Sequence, residues 1–430
     1  MSRSAALAVA VLLLTAGVAP AVAVDASPAP APSPATATQA ADDALTASTA
    51  EEDALTASTP EEDAASPANN TTQRLPITGP VTENYSTVEL DFGASMALSN
   101  ERVASQYQVS LVELQLEQVQ TERARGAIVG EYLDATVEEL TALNAAEERA
   151  VARYRQGEIS AETLLVKFAM IDRRARAIDD SLARIENAGT PLTRSTRDRI
   201  RNVDLGLDSF NTPARRHVAL AATGELKGGV NPLHVAASDQ GVAVEMLDGG
   251  EYHRNAIRFD NRMSGGVDQF EDYVDFQNRV NELYPWARSS FQGGISIDVY
   301  PGWNLYRATG RHPQGSLTVY ADGATRDVYR ETQVLLLDRL PELETVRAIR
   351  ENVSVSVTPT ASGGPVLVNV TRLAVGNESA TPLDAVVRVN DHTVGRTGGD
   401  GTIWLLPPSE GDYEVRVVQD GTSINVTVPN

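Results

Sequence analysis

The chain has 430 residues, a formal net charge of −22 and no cysteine. Without thiols there is neither a disulfide framework nor a thiolate metal site, so stability must come from apolar cores, for which the length suffices. Lys167 and Lys227 are the only lysines, and with no basic patch to neutralise phosphates the composition argues against a nucleic-acid partner.

In chain order, residues 1–23 read as a secretory signal. Arg3 supplies the positive start, Ala5–Val18 the apolar stretch, and Ala21-Val22-Ala23 a small-x-small site with cleavage expected after Ala23. That apolar run is shorter than the roughly 20 residues a bilayer span requires, and no other stretch is longer. The mature chain is therefore expected outside the cell, with no membrane span.

Residues 24–84 are rich in Ala, Thr, Pro and acid and carry a ten-residue repeat that restarts at Asp43 and Asp53. No aromatic residue precedes Tyr85, and Arg74 is the only basic side chain of the segment. Such a composition buries too little apolar surface to offset its ordering entropy, so a disordered stalk is expected.

A helical hairpin is expected over 95–189. Leu164, Phe168, Ile171, Ala175, Ile178, Leu182 and Ile185 are spaced 4-3-4-3-4-3, a seam like that of a coiled coil that could close within the chain or by self-association. Ser160 is its N-cap. Leu133, Val137, Leu140, Val151 and Tyr154 form an upstream stripe interrupted by Asn144 and Glu147, with the two helices joined at Arg155–Ile159. Tyr107, Leu111 and Leu114 begin an earlier piece. The glycines of Gly126–Gly130 either bend one long helix or separate two.

An α+β domain is expected over 190–345. It contains a short helix opened by Thr212-Pro213, a hairpin of Leu233–Ala237 with Val242–Leu247, a strand over Glu251–Phe259 and an amphipathic helix over Val267–Trp286. Strands near Ile295–Tyr300, Trp303–Ala308, Ser316–Tyr320 and Val328–Leu337 follow. Residues 350–430 alternate cleanly, as in Val353–Val357, Val366–Val370, Tyr413–Val417 and Ile424–Val428, and predict a β-sandwich. The expected architecture is thus a multidomain α+β chain: a long coiled-coil-like helical hairpin, a mixed domain and a C-terminal sandwich.

Seven asparagines lie in N-x-Ser/Thr sequons: Asn69, Asn70, Asn84, Asn352, Asn369, Asn377 and Asn425. The eleven asparagines from Asn100 to Asn304 lie in none. Glycan acceptors are therefore expected at the two ends, leaving the middle as a bare contact surface. In Val368-Asn369-Val370 and Ile424-Asn425-Val426 the apolar neighbours face the core, so both asparagines are expected to point outward.

No nucleophile elbow, phosphate loop or dinucleotide fingerprint is present, and no pair of histidines has metal-ligand spacing, so neither an enzyme activity nor a cofactor is expected. His217 is expected on a solvated surface. His253 shares a strand face with Glu251 and Asn255, which fits either an exposed face or a small polar cluster. Trp286, Tyr300, Trp303 and Tyr306 could form a binding surface for sugar rings or a protein partner, or fill the core.

Several segments resemble known families. Thr381–Asp391, then Val394–Trp404 with its Asp400-Gly401 turn, then Leu406-Pro-Pro, resembles the carboxypeptidase-regulatory or transthyretin-like sandwich, which implies a structural or adhesive module. The helix over Val267–Trp286, with the strand and turn Leu317–Thr325, is similar to the PepSY propeptide module, which implies a regulator of an extracellular protease. The acidic, lysine-poor composition and the order of segments resemble uncharacterised surface proteins of halophilic archaea. These resemblances imply a non-catalytic protein whose partners are protein or glycan components of the cell envelope, with a glycan-directed enzyme as a further alternative.

Overall fold

The computed structural model describes residues 74–187, 192–227, 229, 231–263, 265–285, 291–300, 303–360, 363–374 and 379–429. The expected signal, the stalk up to residue 73, Asn69, Asn70, Asn377 and Trp286 lie outside the described residues.

Five helices form the first layer: α1 (Phe92–Gln118), α2 (Glu122–Arg155), α3 (Ala161–Asn187), α4 (Arg194–Asp208) and α5 (Pro213–Ala222). Each starts where a short polar side chain accepts an otherwise orphaned backbone N–H: Asp91, Thr121, Ser160, Thr193 and Thr212 in turn. The chain breaks between α1 and α2 at residues 119–121, and Gly126 and Gly130 lie inside α2.

The coiled-coil-like hairpin is corrected to a bundle. α2 and α3 do turn at the expected place, but α3 is central and touches α1, α2, α4 and α5. All seven residues of its seam are buried inside the chain, which removes them from any self-association. Arg174 bridges Glu139 of α2 and Glu101 of α1, and Arg184 bonds Glu113 at 2.6 Å. The paired steps from Glu101 to Glu113 and from Arg174 to Arg184 mean that α1 and α3 run parallel.

The second layer is an antiparallel sheet built from β1 (Thr82–Ser86), β2 (Leu233–Ala237), β3 (Gly241–Asp248), β4 (Glu251–Arg258), β5 (Ile295–Tyr300), β6 (Leu305–His312), β7 (Gly315–Asp322) and β8 (Val328–Leu336), in the order β1-β2-β3-β4-β8-β7-β6-β5. Alternation gives it two apolar faces. Val235, Val244, Met246 and Ile257 pack on the bundle. Ala243, Ala256, Leu317 and Val319 pack on Leu75 and on α6 (Tyr273–Leu283). The expected helix over Val267–Trp286 is thus shorter; it starts after Asp272, whose carboxylate caps Val274 and Asp275.

The stalk boundary is also corrected. Residues 74–84, expected to be disordered, include most of edge strand β1, and residues 74–80 form a strap over the sheet. The Leu75 N–H donates to Glu331 at 2.6 Å and its carbonyl accepts from Arg254 at 2.8 Å. Arg74 pairs with Glu245, donates to the Tyr252 hydroxyl at 2.6 Å and bonds the Gly363 carbonyl.

After a 3-10 turn, the C-terminal sandwich comprises β9 (Val346–Arg350), β10 (Val353–Pro359), β11 (Val366–Arg372), β12 (Thr381–Pro382), β13 (Val386–Val389), β14 (His392–Arg396), β15 (Thr402–Leu405), β16 (Tyr413–Gln419) and β17 (Thr422–Val428). One sheet runs β12-β11-β10-β9 with β15 also on β11, and the other runs β14-β13-β16-β17. Inward valines of both fill one core. Gly401 turns at φ +74°, where a Cβ would meet the Val370 carbonyl oxygen at 2.6 Å, so the Asp-Gly turn needs its glycine. Tyr252, Leu335, Leu337, Leu340 and Leu406 form an apolar joint between sandwich and sheet.

Candidate functional site

A cleft of about 700 Å³ opens between the bundle and the sheet. α2 supplies Thr141, Asn144 and Glu148 on one wall, and Arg258, Arg262 and Trp303 stand opposite. Its floor is a buried ion triad. Arg330 of β8 donates to Glu147 of α2 at 2.5 Å, and Arg215 of α5 pairs with the same carboxylate. All three are at most 3 % exposed. Arg330 also donates to the Ser209 carbonyl at 3.0 Å and lies 5.0 Å from the Phe210 ring centre, while Arg215 lies 4.6 Å from that of Phe168.

Burial on its own would raise the pKa of Glu147, but Arg215 and Arg330 outweigh it and the net shift is downward. The carboxylate is therefore held ionised and cannot serve as a proton donor near neutrality. The mouth is tied down as well. Arg262 pairs with Asp322 and lies over Tyr329, and Arg258 holds Asp260 at 2.7 Å. Two residues of β8, Tyr329 and Arg330, oppose Tyr320 alone at a bulge, which lets both reach the cleft. α4 comes close enough for a Cβ on Gly206 to meet Trp303 and Leu140 at 2.8 Å each.

The aromatic residues singled out in the sequence do not form one surface. Tyr300 is buried with Tyr320 and Tyr329. Tyr306 is buried in the core beneath α6, its hydroxyl donating to Asp268 at 2.7 Å. Trp303 precedes β6 in a turn and is half-buried at the cleft.

His217 lies on the buried face of α5 and is not solvated; burial lowers its pKa despite Asp248 at 3.9 Å. His253 is buried too, 3.4 Å from Glu251. His234, which drew no notice in the sequence, sits 3.2 Å from Glu83 and 3.5 Å from Glu245. Burial opposes its charge, yet the two carboxylates prevail and push its pKa up to about 9.

Of the described sequon asparagines, Asn84, Asn352 and Asn425 are exposed. Asn369 faces away from the sandwich core but is half-buried. Among the described residues no group of three or more metal-binding side chains could hold an ion, and no helix is long and apolar enough to cross a membrane.

Glu147 and Arg330 of the cleft, and Arg215 behind them, were missed as site residues at the level of sequence. The available signal was Glu147 itself, a charge on the apolar stripe of α2, where a buried carboxylate demands cationic partners.

The architecture is that of a multidomain α+β protein with a helical first half and a β-sandwich at its C-terminal end. A family model described as a domain of unknown function, DUF7096, matches residues 1–227, more than half of the chain, and the chain belongs to that family. Residues 233–341 match a family of unknown function, DUF7094, and residues 344–426 match the archaeal fibronectin-III type-like domain. The matched models are therefore DUF7094 where the PepSY resemblance was drawn, and the fibronectin-III type where the carboxypeptidase-regulatory resemblance was drawn. No curated protein matches the chain.

Proposed function

We propose that the protein is a non-catalytic recognition module of the archaeal cell envelope, exported from the cell, that binds a glycan or protein component in the cleft between bundle and sheet. The observation that carries this reading is the cleft's pairing of a half-buried Trp303 with charged groups already locked in ion pairs. A preformed aromatic-polar surface costs little to organise on binding, whereas acid-base chemistry needs a group free to exchange a proton. Two arginines fix the charge of Glu147, which leaves exposed Glu148 as the carboxylate of that wall outside the triad and weighs against a glycan-directed enzyme working with a pair of carboxylates. The leader-like start and the exposed sequons of β1 and the sandwich support an extracellular location, with the sandwich as a glycosylated spacer.

The test is capture from native envelope in molar salt with the full chain, read by mass spectrometry, alongside Trp303→Ala and Thr141→Arg. Thr141 is exposed on α2 at the cleft, so an arginine there blocks the opening without touching a core. Retention of an envelope component that both variants lose is the expected result. Equal retention by all three chains, or turnover of the bound component, would sink the proposal.

A further inference from the structure

Helix α1 has two apolar faces, and the bundle uses one of them. Ala94, Leu98, Val109 and Leu116 are buried toward α3. On the opposite side Phe92, Met96, Val103, Tyr107, Leu111 and Leu114 are between 41 % and 78 % exposed. At 100° per residue these six fall within about 100° of arc, the width of a core-facing stripe. They extend along about 33 Å of helix. The ion pairs of α1 are spent on its inner side, Glu101 with Arg174 at 3.3 Å and Glu113 with Arg184 at 2.6 Å. Within the stripe Asn100 and Ser110 are uncharged, Ser99 lies at its margin, and the Ser110 hydroxyl is already satisfied by the Gln106 carbonyl at 2.9 Å; the charge nearest the stripe is Glu117, on the same margin as Ser99 and past its last member, Leu114.

We infer that this stripe is the interface with a second copy of the chain, the two α1 helices packing antiparallel about a twofold axis at Val103. Three features of the stripe point to a second copy. In a molecule of net charge −22, like-charged copies approach most readily along a surface poor in charge, and the span of this stripe from Met96 to Ser110 carries none. The stripe also complements itself. With Val103 on the axis, Met96 faces Ser110, Tyr107 faces Ser99 and Phe92 faces Leu114, so large side chains meet small ones through the middle of the contact. The exposed apolar area of the stripe is roughly 700 Å², close to the about 800 Å² that each partner contributes to a standard-size interface.

Salt gives the association a sign. It screens repulsion between the two acidic bodies and leaves the apolar contact intact, so dimerisation strengthens as salt rises. The full chain should show twice the monomer mass by light scattering in molar salt and shift toward monomer at low salt. Val103→Glu sets two carboxylates against each other on the axis and should give a monomer with an unchanged circular dichroism spectrum, whose melting temperature no longer depends on protein concentration.

A second measurement does not depend on that variant folding well. The chain has no cysteine, so Val103→Cys introduces a single thiol that should cross-link to its own copy far faster than Gln108→Cys, an exposed position off the stripe. A mixture of Met96→Cys and Ser110→Cys chains should link to each other more readily than either links to itself. A wild-type monomer at every salt concentration overturns the proposal, and so does Val103→Cys cross-linking no faster than Gln108→Cys. In either case the stripe belongs to another segment of this chain or to a different partner.

Discussion

Two buried residues show how single charges hold this molecule together. Glu147 is the common counter-charge of Arg215 and Arg330, so Glu147→Gln leaves both guanidinium groups buried without it. The expected loss is about 3–5 kcal/mol in denaturant unfolding, while Glu148→Gln, on the exposed side of α2, should leave stability nearly unchanged. His234 makes a second prediction. Its folded pKa of about 9 lies above the ordinary histidine value of about 6.5. Its stabilising contribution is therefore complete below pH 6.5 and is lost as pH rises through 9. Unfolding free energy should fall across that window, and His234→Gln should flatten the fall. Neither role could be read in the sequence, because both depend on strands and helices brought together from distant parts of the chain. Glu147 left a trace as a charge on an apolar stripe; His234 left none.

Among the elements, those with a regular period or a clear cap were legible. Thr212-Pro213 announced α5, and the Ser-Asp-Gln-Gly break between Leu233–Ala237 and Val242–Leu247 announced the hairpin of β2 and β3. The seam of α3 was visible as well, but its partners were not, since a period of 3.5 says that a face is buried and not how many helices bury it. α4 was missed although Thr193 caps it and Ile200, Val203 and Leu207 repeat at helical spacing; four arginines among its 15 residues obscured that face. The strap was hidden for another reason. It has no internal period, and its order comes from Leu75 and Arg74 docking on groups supplied by β3, β4 and β8. Leu75→Ala should therefore cost about 2–5 kcal/mol, as for other buried leucines, measured by denaturant unfolding. The same variant should release the Leu75 amide to hydrogen exchange while amides of β3 and β4 stay protected.

For the whole molecule, the class and order of the parts were legible because helical, mixed and alternating segments follow one another along the chain. The way in which the parts share surfaces was not. The large sheet takes its edge strand from residues N-terminal to the bundle and its other seven from beyond it, so the bundle is an insertion between β1 and β2. The cleft arises only because that insertion folds back on the sheet. The strap ahead of β1 touches both the sheet and the sandwich, and this has a mechanical consequence. Arg74 grips Glu245 of the large sheet and the Gly363 carbonyl of the sandwich at once. A few residues on, Tyr85 donates to the Leu406 carbonyl at 2.8 Å and Glu83 accepts from the Ser409 N–H at 2.8 Å. A pull along the chain upstream of Arg74 thus reaches a fork and not a single thread. The load divides between sheet and sandwich in parallel, and both anchorages must yield before either domain is drawn out.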